Sequence, residues 1–179
     1  GEKGQWGKHT LWQETSHVPF IFAGNGLPKN KTVATTVSLV DIYPTLIELC
    51  NLPKQHQMDG VSMVPALQDP SGAQDRDVFM AYTEKGGYAI INSDWRYIQY
   101  HDGSEELYDL KNDPNEWKNL ATDQSYKSTI DKMKKSAPTE FHEIGSQQKN
   151  LKLIIEDNSF YWEAKDKAMD IFELSSVFC

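Results

Sequence analysis

Gly1-Glu-Lys-Gly-Gln-Trp-Gly-Lys-His-Thr-Leu-Trp-Gln-Glu-Thr-Ser-His-Val-Pro-Phe-Ile-Phe-Ala-Gly24 is the stretch from which the fold is read. Gly1, Gly4 and Gly7 stand among polar and charged residues. That suits a loop whose backbone turns through positive φ or passes close to something else. Residues 18–23 then form a short apolar run, stopped by Gly24-Asn-Gly-Leu-Pro28. Such a run predicts a strand covered on both faces, of the kind a parallel sheet buries. Loop followed by strand, with one lysine and two histidines between them, is the layout of an active-site edge, and the chain reads as starting in the middle of an enzyme.

Downstream, residues 38–51 place Leu39, Ile42, Tyr43, Leu46, Ile47, Leu49 and Cys50 at helical spacing. Asp41 suits the N-cap, and Pro44 falls in the first turn, where a missing N–H is tolerated. Pro53 ends the helix. Residues 53–73 are rich in turn formers, Asp59-Gly60 among them, and read as a crossover with a short helix at 63–67. From Asp77 the pattern becomes four strand-like runs, 78–84, 88–92, 95–100 and 106–110, separated by gaps of hairpin length. In the third run Trp95, Tyr97 and Gln99 share one face, while Arg96, Ile98 and Tyr100 share the other. The result is an antiparallel meander. A helix over 124–136 follows, amphipathic through Tyr126, Ile130, Met133 and Ala137, capped by Thr122 or Asp123 and stopped at Pro138. A last hairpin around Asp157-Asn158 and a helix over 167–174 complete the reading. The expected architecture is an α/β remnant over residues 1–76 followed by an α+β lobe over 77–179, with a small antiparallel sheet and a packed helix.

The 179 residues suffice for one ordinary domain or two small lobes, and 39% hydrophobic with 11% aromatic residues suffices for a core. A formal charge of −8 argues against a general nucleic-acid surface. Any anionic substrate must therefore meet local cations. No run reaches the apolar length of a transmembrane helix, so no membrane partner is expected, and nothing resembles a signal peptide. Two cysteines, Cys50 and Cys179, do not make a disulfide framework. Asn30-Lys-Thr32 is a glycosylation sequon of low specificity.

Gly1-Glu2, Trp6-Gly-Lys-His9, Glu14 and His17-Val-Pro19 resemble the sulfatase family of the alkaline-phosphatase-like superfamily, and most of all its iduronate-sulfatase-like branch. Ser38-Leu-Val-Asp-Ile-Tyr-Pro-Thr-Leu-Ile-Glu-Leu49, Asp59-Gly-Val-Ser-Met-Val-Pro65 and Glu106-Leu-Tyr-Asp-Leu-Lys-Asn-Asp-Pro114 with Asn119-Leu120 add to the resemblance, in the family's order over roughly two thirds of the chain. The resemblance implies metal-assisted hydrolysis of a sulfate ester, with Ca2+ or Mg2+ and a formylglycine nucleophile. It favours a periplasmic, secreted or lysosomal parent. It also places the nucleophile and the metal ligands upstream of Gly1. Cys50-Asn-Leu-Pro-Lys54 does not replace the nucleophile: its proline falls one place late and no arginine follows. This chain alone is therefore expected to be inactive, to hold no metal, and to depend on the N-terminal part of the same enzyme.

Lys8 is the first functional candidate. The resemblance gives it a sulfate oxygen, and a fixed ammonium in a dry cleft stabilises the negative charge of sulfuryl transfer better than water does. His9 fits two roles, proton transfer at the leaving oxygen or a structural hydrogen bond in the loop. Trp6 and Trp12 offer flat surfaces to a sugar ring, or belong to the core. Arg96 and His101 on the meander suit a uronate carboxylate or a second sulfate at the cleft rim. Asp59, Asp109 and Asp113 read as turn and cap residues rather than metal ligands. Two rival readings stand beside a sulfatase acting on a sulfated sugar. One is a phosphate or phosphonate ester hydrolase of the same superfamily; the other is a non-catalytic carbohydrate-binding or interaction module. With its sheet neighbours missing, the chain would expose an edge through which it could form a homodimer. A monomer in sedimentation counts against that dimer.

Overall fold

The computed structural model describes residues 2–54, 58–82, 84–141, 151–156 and 159–164. They fall into two compact units, residues 1–141 and 142–179. In the first unit, β1 (Val78–Ala81), β2 (Tyr88–Ile91), β3 (Trp95–Gln99) and β4 (Glu105–Asp109) form an antiparallel sheet in sequence order, the expected meander.

The turns follow from their residues. Asn92 closes β2–β3 by accepting from the backbone N–H groups of Asp94 at 3.0 Å and Trp95 at 2.8 Å. Gly103 takes the positive φ, 84°, that the β3–β4 turn requires, and Asp102 accepts from the Ser104 N–H at 2.9 Å. These turns set a register pairing Ile90 with Tyr97 and Tyr97 with Leu107. The alternation puts Tyr88, Ile90, Tyr97 and Leu107 on one face. There they meet Leu120, Ile130 and Met133, while Trp95 and Tyr126 pack edge to face at 5.7 Å. Ile130 and Met133 come from α4 (Lys127–Lys134), which a 3-10 turn, Gln124–Tyr126, introduces. Asp123 caps that turn, accepting from the Ser125 N–H at 2.9 Å. The opposite face carries Ala89, Ile98 and Tyr108 and is covered by Leu11, from the first residues of the chain.

Ahead of the sheet in sequence come α1 (Gln13–Ser16), α2 (Ile42–Leu49) and α3 (Val64–Gln68), of which α2 and α3 pack on one another. Asp41 sits at the end of the 3-10 turn Leu39–Asp41 and is fully buried. Its carboxylate accepts from the N–H groups of Ser38 and Val61, both at 2.8 Å, and pairs with Arg76. It stands at the expected N-cap position of α2 but makes no side-chain cap bond there, and instead ties three segments together. A Cβ on Gly60 would lie 2.2 Å from the Val40 carbonyl oxygen, so the Asp59-Gly60 dipeptide serves a close backbone approach as well as a turn.

Residues 18–23 do not form the expected strand. A strand needs a neighbour for its backbone N–H and C=O groups, and none pairs with this run among the described residues. Ile21 is left 84% exposed. In the second unit, β5 (Leu151–Glu156) and β6 (Ser159–Ala164) pair antiparallel, as the expected hairpin requires. The helix expected over 167–174 lies outside the described residues.

Two outcomes follow for stability. Met133 is 1% exposed, so Met133→Ala is expected to cost about 2–5 kcal/mol in urea unfolding of the chain. Burial raises the affinity of Glu105 for its proton, but the Lys134 ammonium and the Tyr97 hydroxyl, 2.5 Å away, outweigh it and hold the carboxyl below its ordinary value of 4.5. A depressed folded pKa contributes stability that is present above the ordinary value and lost as pH falls through the folded one. Unfolding midpoints recorded from pH 6 downward should therefore fall less steeply for Glu105→Gln than for the wild type.

Candidate functional site

The opening segment lies across the second face of the meander. Its Leu11 is 1% exposed and seats the chain on Ala89, Ile98 and Tyr108. Burying a leucine stabilises the contact by about 1.5–3 kcal/mol. Polar bonds then fix the direction of the backbone. Arg96, central in β3 and 2% exposed, donates from Nη1 to the Leu11 carbonyl at 2.9 Å and from Nε to Glu116. Glu116, 1% exposed, also accepts from the Gln13 N–H at 2.9 Å. Trp12 donates its indole N–H to Glu106 at 2.8 Å, and the Tyr108 hydroxyl donates to the same carboxylate at 2.9 Å. Lys3 donates to the Glu116 carbonyl. At the turn end of the sheet, the Tyr82 hydroxyl donates to the His9 carbonyl at 3.2 Å.

The loop tip carries the candidate chemistry. Lys8 and His9 are exposed, and Trp6 is 90% exposed. His101, in the β3–β4 turn, is exposed and pairs with Glu84 of the β1–β2 turn. Trp6, Lys8 and His9 thus share one loop, and His101 lies at the end of the sheet to which Tyr82 ties His9. Arg96 does not join them. It was expected on the cleft rim, but its position facing the core of β3 puts it under the loop. Burial pulls its pKa down while the facing Glu116 carboxylate opposes that shift. Its donors hold backbone and carboxylate, so its part is structural. Trp12 likewise packs against the second-face cluster.

The aspartates behave as turn residues. Asp109 accepts from the Lys111 N–H at 3.1 Å, and Asp113 accepts from the Lys118 N–H at 2.7 Å. Among the described residues no three His, Cys, Asp or Glu side chains converge on a metal site. The donor set of the described residues does not fit a divalent cation. A groove of about 1110 Å³ lies away from the loop tip, with Phe20, Phe22, Leu67 and Phe79 among its walls; it includes Arg96 but neither Lys8 nor His9.

Sequence reasoning missed Lys3, Tyr82 and Glu116. Glu116 carried a signal: it follows Asp113-Pro-Asn, where only the turn was read. Lys3 and Tyr82 carried none, because their partners lie on other elements.

The family described as N-sulphoglucosamine sulphohydrolase, C-terminal, matches residues 1–143, and the chain belongs to it. The chain is 41% identical over 138 residues to a sulfatase of Formosa agariphila, covering 77% of this chain and 27% of that protein. It is 28% identical over 170 residues to arylsulfatase K of Bos taurus, covering 82% of this chain and 31% of that protein. Two solved structures, a putative sulfatase from Bacteroides thetaiotaomicron and a 2-O GAG sulfatase, match with TM-scores of 0.55 at 29% and 30% identity. Each match covers 65% of this chain and 28% of the other. The four-stranded sheet and its helices correspond to the C-terminal part of sulfatase structures. The chain spans less than a third of the length of these relatives.

Removing one partner of a buried pair leaves the other charge uncompensated. Glu116→Ala is therefore expected to lower unfolding stability by about 3–5 kcal/mol in denaturant titration, more than Lys111→Ala, whose bridge to Asp94 is solvent-exposed.

Proposed function

We propose that this chain is the C-terminal part of a sulfatase that hydrolyses the sulfate ester of a sulfated sugar. In this reading residues 1–76 close the large α/β domain and residues 77–179 form its C-terminal subdomain. The observation that carries it is the exposed Lys8-His9 pair on a loop anchored to the meander, in a chain of sulfatase ancestry. Sulfuryl transfer gathers negative charge on the non-bridging and leaving oxygens. Lys8 supplies a compact cation there, on a backbone held by Leu11 and Arg96, so little reorganisation accompanies the reaction. His9, adjacent and exposed, would hand a proton to the leaving oxygen.

A sugar substrate is favoured by similarity to a 2-O GAG sulfatase and by Trp6, whose open ring can stack on a pyranose. His101, at the turn end, would meet a uronate carboxylate, in keeping with an iduronate-sulfatase-like branch. Ca2+ or Mg2+ and the formylglycine nucleophile would come from the rest of the enzyme, since the described residues offer no ligand set. The same missing polypeptide would cover the apolar face of Leu39, Val40, Tyr43 and Leu46, all more than 45% exposed. No helix among the described residues is long and apolar enough to cross a membrane; a periplasmic, secreted or lysosomal compartment fits the reading.

In the complete enzyme, Lys8→Ala is expected to lower kcat/KM on a 2-O-sulfated uronic-acid disaccharide by about a hundredfold to a thousandfold. Full activity in that variant would remove the reading.

A further inference from the structure

Four described residues other than glycine hold left-handed backbone, Asn30, Asn51, Lys3 and Glu116, the last two at φ 52° and 56° and neither of a type that favours it. Such conformations persist only where the surroundings over-determine them. Here the two residues meet. The Lys3 ammonium donates to the Glu116 carbonyl and lies 4.7 Å from the centre of the Trp12 ring and 4.4 Å from that of Tyr108. Both rings are tethered to one carboxylate, Glu106. Glu116 in turn accepts from Arg96 and from the Gln13 N–H. The chain is therefore clamped to the sheet at residue 3 and again at residues 11–13.

Residues 4–10 span the gap between the clamps. A Cβ on Gly4 or Gly7 would meet no heavy atom within 4 Å, and Trp6, Lys8 and His9 are exposed. Within it the Tyr82 hydroxyl holds the His9 carbonyl and Thr15 bonds Thr10, so the span takes its direction from Lys3 on one side and from His9 and Thr10 on the other. The C-terminal end is fixed by buried groups of the core. Among the described residues, Lys3 holds the N-terminal end to the sheet unit. That ammonium is already covered by two rings and a carbonyl, so it is not itself offered to a substrate anion.

We infer that Lys3 is a positioning residue: its ammonium, held between Trp12 and Tyr108 and bonded to Glu116, locks residues 4–10 so that Lys8 meets the sulfuryl group in one orientation. This rests on the reading of Lys8 given above. Lysine is suited to the place because one ammonium supplies both the charge for cation–π attraction and the N–H donor for the carbonyl.

The test has two arms. In the 179-residue chain, 15N relaxation is measured for Lys3→Met and Lys3→Arg. The methionine variant should bring order parameters of residues 4–10 from about 0.85 to below about 0.6, with β2 and β3 unchanged, and the arginine variant should restore them. Unchanged order at residues 4–10, or loosening of the whole sheet, overturns the inference. In the complete enzyme, Lys3→Met should lower kcat and kcat/KM together by about tenfold or more, with Lys3→Arg recovering most of the loss. On a Lys8→Ala background the same change should cost nothing further. An equal loss on both backgrounds, or full activity of Lys3→Met while Lys8→Ala is impaired, overturns the inference and leaves the role of Lys8 standing. Full activity of Lys8→Ala removes the sulfatase reading instead; the relaxation arm then still decides whether Lys3 holds the loop.

Discussion

Arg96 and Glu116 meet beneath the opening loop, both almost fully buried, and the arrangement of the first compact unit depends on their pairing. Taking two charges out of water is costly, so such a pair contributes little net stability compared with apolar side chains of the same size. What it contributes is direction. The guanidinium bonds the Leu11 carbonyl and the carboxylate bonds the Gln13 N–H. No apolar pair could make those bonds, and without them residues 11–13 would be held to the sheet only by the burial of Leu11 and the Trp12 indole bond to Glu106.

The meander consequently has two employments. One face packs on α4 through Tyr97, Ile90, Leu107 and Met133 and makes an ordinary core. The other face holds a loop that has no regular structure beyond two short helical turns. A loop that brings charge to a substrate must keep its polar tip wet while its backbone is held still. The second face does this by burying Leu11 and leaving Lys8 and His9 outside. In a sulfatase, this would make the C-terminal subdomain the support of a catalytic loop as well as a rim for substrate.

Apolar run lengths and turn residues were legible because they act locally. The four strands, the face alternation of Trp95 and Tyr97 against Arg96 and Ile98, the Asp123 cap and the turn roles of Asp109 and Asp113 all come from interactions within a few residues. Residues 18–23 were misread as a strand for the complementary reason: an apolar run specifies extended chain, but pairing needs a partner that the described residues do not provide. Arg96 was misplaced because sequence shows a charge without showing which face of a central strand buries it. Lys8 and His9 stand as candidates only through their motif.

By itself the sequence determined the order of the elements, the meander with its two faces, the capped helix and the membership in a sulfatase family, since each is written in spacing, turn chemistry or motif. Only the tertiary structure decided that Arg96 belongs to the core, that Glu116 and Lys3 grip one another in left-handed backbone, and that Leu11 docks the loop on the sheet. Those contacts join residues about 85 to 113 positions apart. Their energies depend on burial and on ring geometry, which no local pattern encodes.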